Sequence, residues 1–251
     1  MKKNPFEQFR TDIIERTRSC QNDKEFQNAK QAFHDKLTKF KYAYNFYWMG
    51  VPIIQTPAET QAYHELIWQV KPDLIIETGI AWGGSIIFAA SQIKLLEACG
   101  YIKNGRVIGI DIEIRPHNKK NLALHPMTKK ITMIEGSSID PEIVKKVKIL
   151  AKGKKRILVH LDSNHTHDHV LAELRAYAPL VTKGSYCIVE DTGIEDDPAE
   201  NNQGKAFGKG NNPKTAVWAF LKENNDFKID KDFEAKLILT GAPDGYLKKI
   251  K

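Results

Sequence analysis

The fold is decided by the stretch Leu74-Ile75-Ile76-Glu77-Thr78-Gly79-Ile80-Ala81-Trp82-Gly83-Gly84-Ser85. Its opening apolar run is too short for a helix and ends at glycines, which predicts a buried strand and a turn. The longer apolar stretch from Ile86 onward predicts a helix. A strand, a glycine turn and a helix together present backbone N–H groups to a ligand. The glycine spacing fits neither a dinucleotide-binding motif nor a P-loop, and the acidic Glu77 suits a cationic ligand. The alternative is a plain strand-to-helix turn.

Length and composition limit the classes of protein that the chain can represent. With 251 residues and 41% hydrophobic content, it is long enough for one large α/β domain. It contains no apolar run long enough to span a membrane and no signal-peptide stretch at its N-terminus. Its three cysteines are far apart in the sequence, which favours a reducing cytoplasm. The net charge of +7 comes from scattered lysines without an RNA-binding or zinc-finger motif, so we expect a basic surface and no nucleic-acid partner.

Hydrophobic periodicity predicts a helical leader followed by alternating strands and helices. Residues 5–41 have helical spacing, and Pro57 opens a further helix that ends near Val70. We expect strands at 73–78, 106–111, 131–135, 157–162, 185–190, 235–239 and 245–249, and helices at 84–98, 118–124, 140–151, 167–179 and 214–222. The alternation predicts a Rossmann-like α/β fold with a mostly parallel seven-stranded sheet covered on both faces. We divide the chain into an N-terminal helical extension, 1–50, and a ligand-binding domain, 51–251.

Two segments stand apart from this alternation. Residues 192–213 are rich in Asn, Gly and acidic residues and too long for an ordinary connection, so we expect a mobile functional loop. An aromatic patch precedes the first helix of the domain, and it consists of Tyr42, Tyr44, Phe46, Tyr47 and Trp48. Aromatic side chains of this kind either pack against a core or form a wall of a substrate pocket, and the sequence leaves both open.

Polar side chains follow the ends of several predicted strands, and open parallel sheets bind ligands beyond those ends. The second strand ends at Asp111, where a nucleoside-binding fold places its ribose ligand, and the third ends beside Ser137 and Ser138. The fourth and fifth end in three acids, which are Asp162, Glu190 and Asp191. Taken singly, each acid is better explained as a helix N-cap or a loop residue. Together they predict an oxygen-ligand site for Mg²⁺.

From about Tyr47 to the C-terminus, the chain resembles the cephalosporin hydroxylase family. The stretches that carry the resemblance are Glu77 to Ser85, Val107 to Ile112, Glu135 to Asp140, Leu161 to Thr166, Val189 to Asp191 and Gly245 to Leu247. The resemblance implies a class I methyltransferase fold that uses S-adenosylmethionine. A more distant resemblance to catechol O-methyltransferase implies Mg²⁺ dependence. The resemblance to the cephalosporin hydroxylase family also implies a homo-oligomer that methylates a hydroxylated small molecule, such as an antibiotic precursor, a sugar or a glycolipid headgroup.

The resemblance also implies roles for individual residues. The amino-acid end of S-adenosylmethionine is expected along the glycine turn, at Glu77, Gly79, Ala81, Gly83 and Ser85. Asp111 is expected to bind the ribose hydroxyls, and Ser138, or alternatively Ser137, the adenine. Asp162, Glu190 and Asp191 match the metal ligands, with Asp162 also bordering the cofactor.

His165 is the first candidate for the base that removes the acceptor's proton, because histidine exchanges protons near neutral pH. The alternative is that it braces Asp162 or caps the next helix. His165, His167 and His169 are spaced two residues apart as the chain enters that helix, and residues with this spacing do not share a helix face. We therefore expect His167 and His169 outside the metal site.

Two further functions compete with methyl transfer. The triplet His160-Leu161-Asp162 has the His-x-Asp form of non-heme Fe(II) hydroxylases. Such sites usually occupy a jelly-roll barrel, which the predicted α/β alternation disfavours, and a histidine inside a buried strand is more often a core residue. The second alternative is a catalytically silent protein that binds S-adenosylmethionine. The set of metal acids disfavours it, because a silent protein does not need them.

Overall fold

The computed structural model describes residues 4–251, and it begins with a helical hairpin. Helix α1 (Pro5–Asn22) and helix α2 (Lys24–Lys39) are joined at Asp23, whose side chain accepts a hydrogen bond from the Phe26 N–H and so caps α2. A 3₁₀ turn (Tyr42–Asn45) leads into a small antiparallel hairpin of β1 (Phe46–Trp48) and β2 (Val51–Ile53). The β1–β2 hairpin packs against α4 and so connects the N-terminal helices to the main domain.

The main domain is a seven-stranded sheet with helices on both faces. In chain order its elements are α3 (Pro57–Val70), β3 (Leu74–Thr78), α4 (Gly84–Ala98), β4 (Arg106–Asp111), α5 (Pro116–Leu124), β5 (Ile131–Glu135), α6 (Pro141–Ala151), β6 (Ile157–Leu161), α7 (His167–Tyr177), β7 (Tyr186–Val189), α8 (Pro213–Glu223), β8 (Phe227–Ile229), α9 (Lys231–Leu237) and β9 (Tyr246–Lys249). The strand order is β5-β4-β3-β6-β7-β9-β8, with β9 antiparallel to both neighbours and the rest parallel. The predicted Rossmann-like, mostly parallel fold is confirmed.

One predicted strand is wrong. Residues 235–239 do not form a strand, because α9 occupies Lys231–Leu237 and the edge strand is the earlier β8. Asp230 caps this helix by accepting a hydrogen bond from the Phe233 N–H, and Phe233 is buried against the core. The apolar run at 237–239 imitates a strand in the sequence, whereas β8 is too short to give a clear alternating pattern.

Two apolar cores lie on opposite faces of the sheet because successive strand residues point to opposite sides. Ile75 belongs to the core under α3, α4 and α9, whereas Ile76 belongs to the core under α6, α7 and α8. Both side chains are fully buried, as expected for parallel strands covered on both faces. Among the described residues, none of the helices is long and apolar enough to cross a membrane.

The sheet register determines which polar residues meet on the α3/α4 face. Glu77 on β3 pairs with Gly109 on β4 and with His160 on β6, and His160 pairs with Ile188 on β7. Since side chains alternate, the residues two positions further on lie on the same face at the carboxyl edge. These residues are Gly79, Asp111, Asp162 and Glu190. The fold therefore produces an edge row of site residues above an inner row that contains Glu77 and His160.

Residues 192–213 contain two 3₁₀ turns, Thr192–Glu195 and Ala199–Asn202. The buried Asn212 holds the end of the segment, because its amide nitrogen donates to the Gly208 carbonyl (2.9 Å) and to Glu195. Residues 203–206 between the turns and this anchor are exposed. Mobility of the segment stays a prediction.

Candidate active site

A cavity of about 710 Å³ opens at the carboxyl edge of the sheet. One wall is formed by the turn from Gly79 to Ser85 and by acids at the ends of β6 and β7. The rest of the lining comes from α2, the 3₁₀ turn after it, and the 201–207 region of the long loop, where Phe207 packs against His165. The cavity therefore joins the two sites that the sequence predicts at separate strand ends.

The glycine turn depends on close backbone approach. Gly79 has φ +88°, and a Cβ atom there would overlap the carbonyl of Asp162. A Cβ on Gly84 would overlap the carbonyl of Pro52 in β2. Gly83, the residue before α4, has no side chain to cap the helix, so the first N–H groups of α4 face the cavity without a side-chain partner. These observations fit a turn built to hold a ligand.

Asp111 holds this turn by hydrogen bonds, and Glu77 lies buried in β3 two residues before it. Asp111 Oδ2 accepts hydrogen bonds from the N–H groups of Ile80 (2.7 Å) and Ala81 (3.1 Å). The structure thus places Asp111 beside the turn, outside the residues that line the cavity. Glu77 is fully buried beneath the turn, and its Oε1 has no hydrogen-bond partner among the described residues. Ser85 Oγ is unpaired in the same part of the structure.

Ser137 and Ser138 follow β5 and are not brought into the cavity lining. Ser138 is buried, its Oγ lies 3.0 Å from His169 Nε2, and its carbonyl accepts a hydrogen bond from the Tyr177 hydroxyl. Ser137 is half-buried. Contact of either serine with adenine stays a prediction.

His167 and His169 are held by partners away from the acids. Nδ1 of His167 lies 2.8 Å from the Thr215 hydroxyl of α8, and Nε2 of His169 lies 3.0 Å from Ser138. Neither histidine belongs to the group of metal-capable side chains described next.

Three side chains at the ends of β6 and β7 form a candidate metal centre. Asp162, His165 and Asp191 each present a ligand atom, and these atoms lie within 4.8 Å of one another. Burial, followed by the charges of Asp191 and Glu190, raises the pKa of Asp162 well above its usual value. Folding therefore favours the protonated acid, and the ionised site costs stability unless a cation neutralises it. Carboxylate oxygens fit a hard dication such as Mg²⁺.

Glu190 lies beside this group in a different environment. Its Oε1 is 2.8 Å from Nε2 of His160, and its side chain is 11% exposed. His165 contacts Asp191, with 3.3 Å between Nε2 and Oδ2, and packs edge-on against Phe207 at 5.1 Å between ring centres. The structure thus brings Asp162, Glu190 and Asp191 to one edge of the sheet. The side chains whose ligand atoms lie closest together are Asp162, Asp191 and His165.

His160 does not present a free nitrogen to a metal. Its two ring nitrogens face Glu190 and Glu77, and the ring is fully buried. Burial lowers the pKa of His160, but the hydrogen bonds to the two carboxylates outweigh that effect and raise it to about 10. With an α/β sheet in place of a jelly roll, this geometry gives no support to the Fe(II) hydroxylase alternative.

Glu59 is a cavity residue that the sequence interpretation missed. Its Oε2 accepts a hydrogen bond from the Thr56 N–H (2.7 Å), and its Oε1 accepts one from the Gly241 N–H (2.8 Å). Burial, with the charge of Glu190, raises the pKa of Glu59 to about 7. The spacing Thr56-x-x-Glu59 before an apolar run is a capping-box signal, which predicts the first of these bonds but not the second.

The aromatic patch divides between the two interpretations. Trp48 packs against Phe88, at 4.7 Å between ring centres, and donates a hydrogen bond to Ser91. Tyr42 and Tyr44 instead line the cavity. They are joined there by residues that the sequence did not mark, which are His34, Leu37, Lys205 and Phe207.

Comparison with known proteins finds relatives over most of the chain. Residues 40–250 match the family model described as "Rhamnosyl O-methyltransferase/CmcI". The rhamnosyl O-methyltransferase of Mycobacterium bovis (strain BCG / Pasteur 1173P2) is 30% identical over 232 residues, covering 88% of this chain and 87% of the relative. The solved structure "CmcI-N160 apo-structure" has a TM-score of 0.56 and 19% identity over 83% of this chain and 77% of its own. The structure "cmcI-D160 Mg-SAM" has a TM-score of 0.56 and 17% identity over 83% and 78%. The two structural similarities show the fold.

The crowding of acids predicts how the protein responds to a dication. Adding MgCl₂ at a hundredfold excess over its dissociation constant should stabilise the folded protein by about 2.7 kcal/mol and raise Tm by about 5–10 °C. Asp162→Asn keeps the shape but removes one charge, so that variant should lose most of this increase. Thermal unfolding with MgCl₂ and with EDTA measures the effect. Glu142→Gln, at an exposed acid outside the site, is the matched control. An equal MgCl₂ response in wild type and Asp162→Asn would contradict the metal assignment.

Proposed function

The chain belongs to the rhamnosyl O-methyltransferase/CmcI family, and from this membership we infer that it is an S-adenosylmethionine-dependent O-methyltransferase. The resemblance predicted from the glycine turn and strand-end motifs is thereby confirmed. The observation that carries the function is one cavity that contains both the glycine turn and the carboxylates of β6 and β7. Methyl transfer requires a donor and an acceptor side by side, and this cavity has a wall suited to each.

We assign the donor site to the glycine turn. The turn from Gly79 to Ser85 and the N-terminus of α4 would hold the amino-acid end of S-adenosylmethionine, above the buried Glu77. Asp111 keeps free lone pairs beside its bonds to Ile80 and Ala81, so it can accept hydrogen bonds from the ribose as well. Ser138, or Ser137, remains the proposed adenine contact.

We assign the metal site to Asp162, Glu190 and Asp191, the three acids that the family resemblance implies; Asp162 and Asp191 belong to the close group with His165, and Glu190 lies beside it. A bound Mg²⁺ supplies positive charge that lowers the pKa of a nearby acceptor hydroxyl. The carboxylates hold and orient the ion, and their crowding relaxes when it is present. His165, which contacts Asp191 and lies on the cavity wall, is the proposed base for the acceptor's proton.

We assign the acceptor site to the part of the cavity lined by α2, the 3₁₀ turn after it and the 201–207 region. Tyr42, Tyr44 and Phe207 offer aromatic faces there, and Asn201 and Lys205 offer polar groups. Aromatic faces combined with a few polar groups suit a hydroxylated small molecule. Because the curated relatives are rhamnosyl O-methyltransferases, a sugar hydroxyl is the first acceptor class to test, ahead of an antibiotic precursor or a glycolipid headgroup.

Turnover distinguishes the enzyme from a silent binding protein. We expect methyl transfer from S-adenosylmethionine to a panel of rhamnosyl and other glycosides, and we expect EDTA to abolish it. Asp162→Asn should lose at least 10²-fold in kcat, because the metal acts on the acceptor. It should keep its affinity for S-adenosylmethionine within several-fold. Glu142→Gln should behave as wild type. Cofactor binding without turnover over a broad acceptor panel would favour the silent protein, and undiminished turnover in EDTA would contradict the metal's role.

The donor assignment has its own test. Asp111→Ala should weaken binding of S-adenosylmethionine by about 1–3 kcal/mol, because it removes charge-assisted hydrogen bonds and the support of Ile80 and Ala81. Asp111→Asn keeps one acceptor oxygen and should lose less. Titration calorimetry measures both affinities, with Asp140→Asn as a control at another strand-to-helix loop. An unchanged affinity in Asp111→Ala would remove this residue from the donor site.

We further propose that the chain consists of the extension 1–50 and the domain 51–251, and that the extension mediates homo-oligomerisation. We also propose that the protein is cytoplasmic. Helix α1 has no buried residue, and Phe6 and Phe9 on it are 79% and 60% exposed. Residues three apart are neighbours on a helix surface, so Phe6 and Phe9 together form an exposed apolar area that a second copy of the chain could cover. Light scattering of the full chain should give a multiple of 28.5 kDa that falls on Phe6→Glu with Phe9→Glu. A wild-type mass of 28.5 kDa would contradict the proposal.

Three free cysteines support the cytoplasmic location, which cell fractionation checks.

A further inference from the structure

His160 occupies a central position between the two halves of the site. It lies on β6, beside Glu77 of β3 in the sheet register, and its side chain is fully buried. Its Nε2 is 2.8 Å from Glu190 Oε1, and its Nδ1 is 3.4 Å from Glu77 Oε2. The ring of Tyr63 from α3 packs over it, with 4.6 Å between ring centres. One rigid ring thus connects a carboxylate beneath the glycine turn to a carboxylate at the metal edge.

Burying a histidine between two carboxylates costs folding free energy relative to an apolar core, and the hydrogen bonds among the three groups offset that cost. A buried carboxylate is strongly disfavoured without a hydrogen-bond partner, and Glu77 and Glu190 both lie in this interior. An apolar side chain at position 160 would leave Glu190 Oε1 and Glu77 Oε2 without the contacts that they now make. Because the imidazole is flat and its nitrogens lie on different edges, it also holds the two acids at a set separation.

We propose that His160 is a positioning residue that orients Glu190 for the metal and Glu77 for the cofactor. The proposal rests on the proposed function of the two carboxylates. His160 lies below the residues that line the cavity, so it acts through its neighbours and does not touch the reacting atoms. Residues that hydrogen-bond to metal ligands commonly set metal affinity by 10- to 100-fold. His160 differs from an ordinary partner of that kind because its second nitrogen reaches the cofactor side.

Substitution at position 160 separates this role from simple packing. His160→Phe keeps an aromatic ring against Tyr63 but removes both hydrogen bonds. His160→Asn keeps a single amide that can serve one carboxylate. His64→Phe is the matched control, because it removes another histidine hydrogen bond, the 2.7 Å contact of Nδ1 with Gln92 of α4, and leaves the contacts of Glu77 and Glu190 in place.

Calorimetry measures the two sites separately. MgCl₂ is titrated into protein saturated with S-adenosylhomocysteine, and S-adenosylhomocysteine is titrated into metal-free protein. In His160→Phe we expect the Kd for Mg²⁺ to rise at least tenfold and that for S-adenosylhomocysteine to rise several-fold. His160→Asn should recover part of one affinity, and His64→Phe should keep both within twofold. Folded His160→Phe with both affinities within twofold of wild type would overturn the proposal.

The wild-type protein provides a measurement that does not depend on the folding of variants. In protein labelled with ¹⁵N-histidine, the His160 ring nitrogens are assigned by through-bond correlation. MgCl₂ should shift the Nε2 resonance, and S-adenosylhomocysteine should shift the Nδ1 resonance. Ring resonances that stay fixed while calorimetry records both ligands binding would overturn the role of His160 alone. Wild-type protein that binds neither ligand would overturn the proposed function, and this inference with it.

Discussion

Parallel pairing of β3, β6 and β7 in one register holds acidic side chains together at a single edge of the sheet. Side chains in a strand alternate between faces, so a slip of one residue in β6 would move Asp162 and His160 to the opposite core. The site therefore depends on the same backbone hydrogen bonds that build the fold. The two apolar cores stabilise this register, because Ile75 and Ile76 of β3 are anchored on opposite faces.

The charge at this edge explains which ligands the protein can accept. Glu77, Asp162, Glu190 and Asp191 contribute four carboxylates, and His160 is the imidazole placed between two of them. A sulfonium cofactor and a divalent ion together bring three positive charges to a site with a net charge of about −3 when His160 is protonated and the acids are ionised. The raised pKa of Asp162, caused by burial and then by Asp191 and Glu190, is the local sign of this imbalance. Repulsion among crowded, partly buried carboxylates is typical of functional sites, where the binding of a positively charged ligand relieves it.

The sequence predicts the parts of the site that depend on backbone pattern. The run Leu74 to Ser85 combines strand length, glycines and a following helix, so both the strand and the turn can be read from it. Acids at strand ends are predictable for the same reason. The edge strand β8 is not, since its three residues carry too little periodic signal. The contact of His160 with Glu190 is also hidden, because it depends on pairing between β6 and β7 and not on spacing along the chain. The hydrogen bond between Glu59 and the Gly241 N–H joins residues 182 positions apart in the sequence, so no local pattern predicts it.

The proposed donor and acceptor sites are built from different kinds of structure, and this difference bears on acceptor specificity. The proposed donor and metal residues lie on the sheet edge, where packing leaves little freedom. The acceptor wall comes from α2, a 3₁₀ turn and the 192–213 segment, which can change without disturbing the sheet. His34 and Leu37 of that wall precede residue 40, where the match to the family model begins. The similarity to the mycobacterial rhamnosyl O-methyltransferase covers 88% of this chain, so most of the proposed acceptor wall lies within the shared region, and a change of acceptor requires only different side chains on it. A substitution on the exposed helix α2 should cost little stability, so acceptor preference can change there while the proposed donor and metal residues on the sheet edge stay in place.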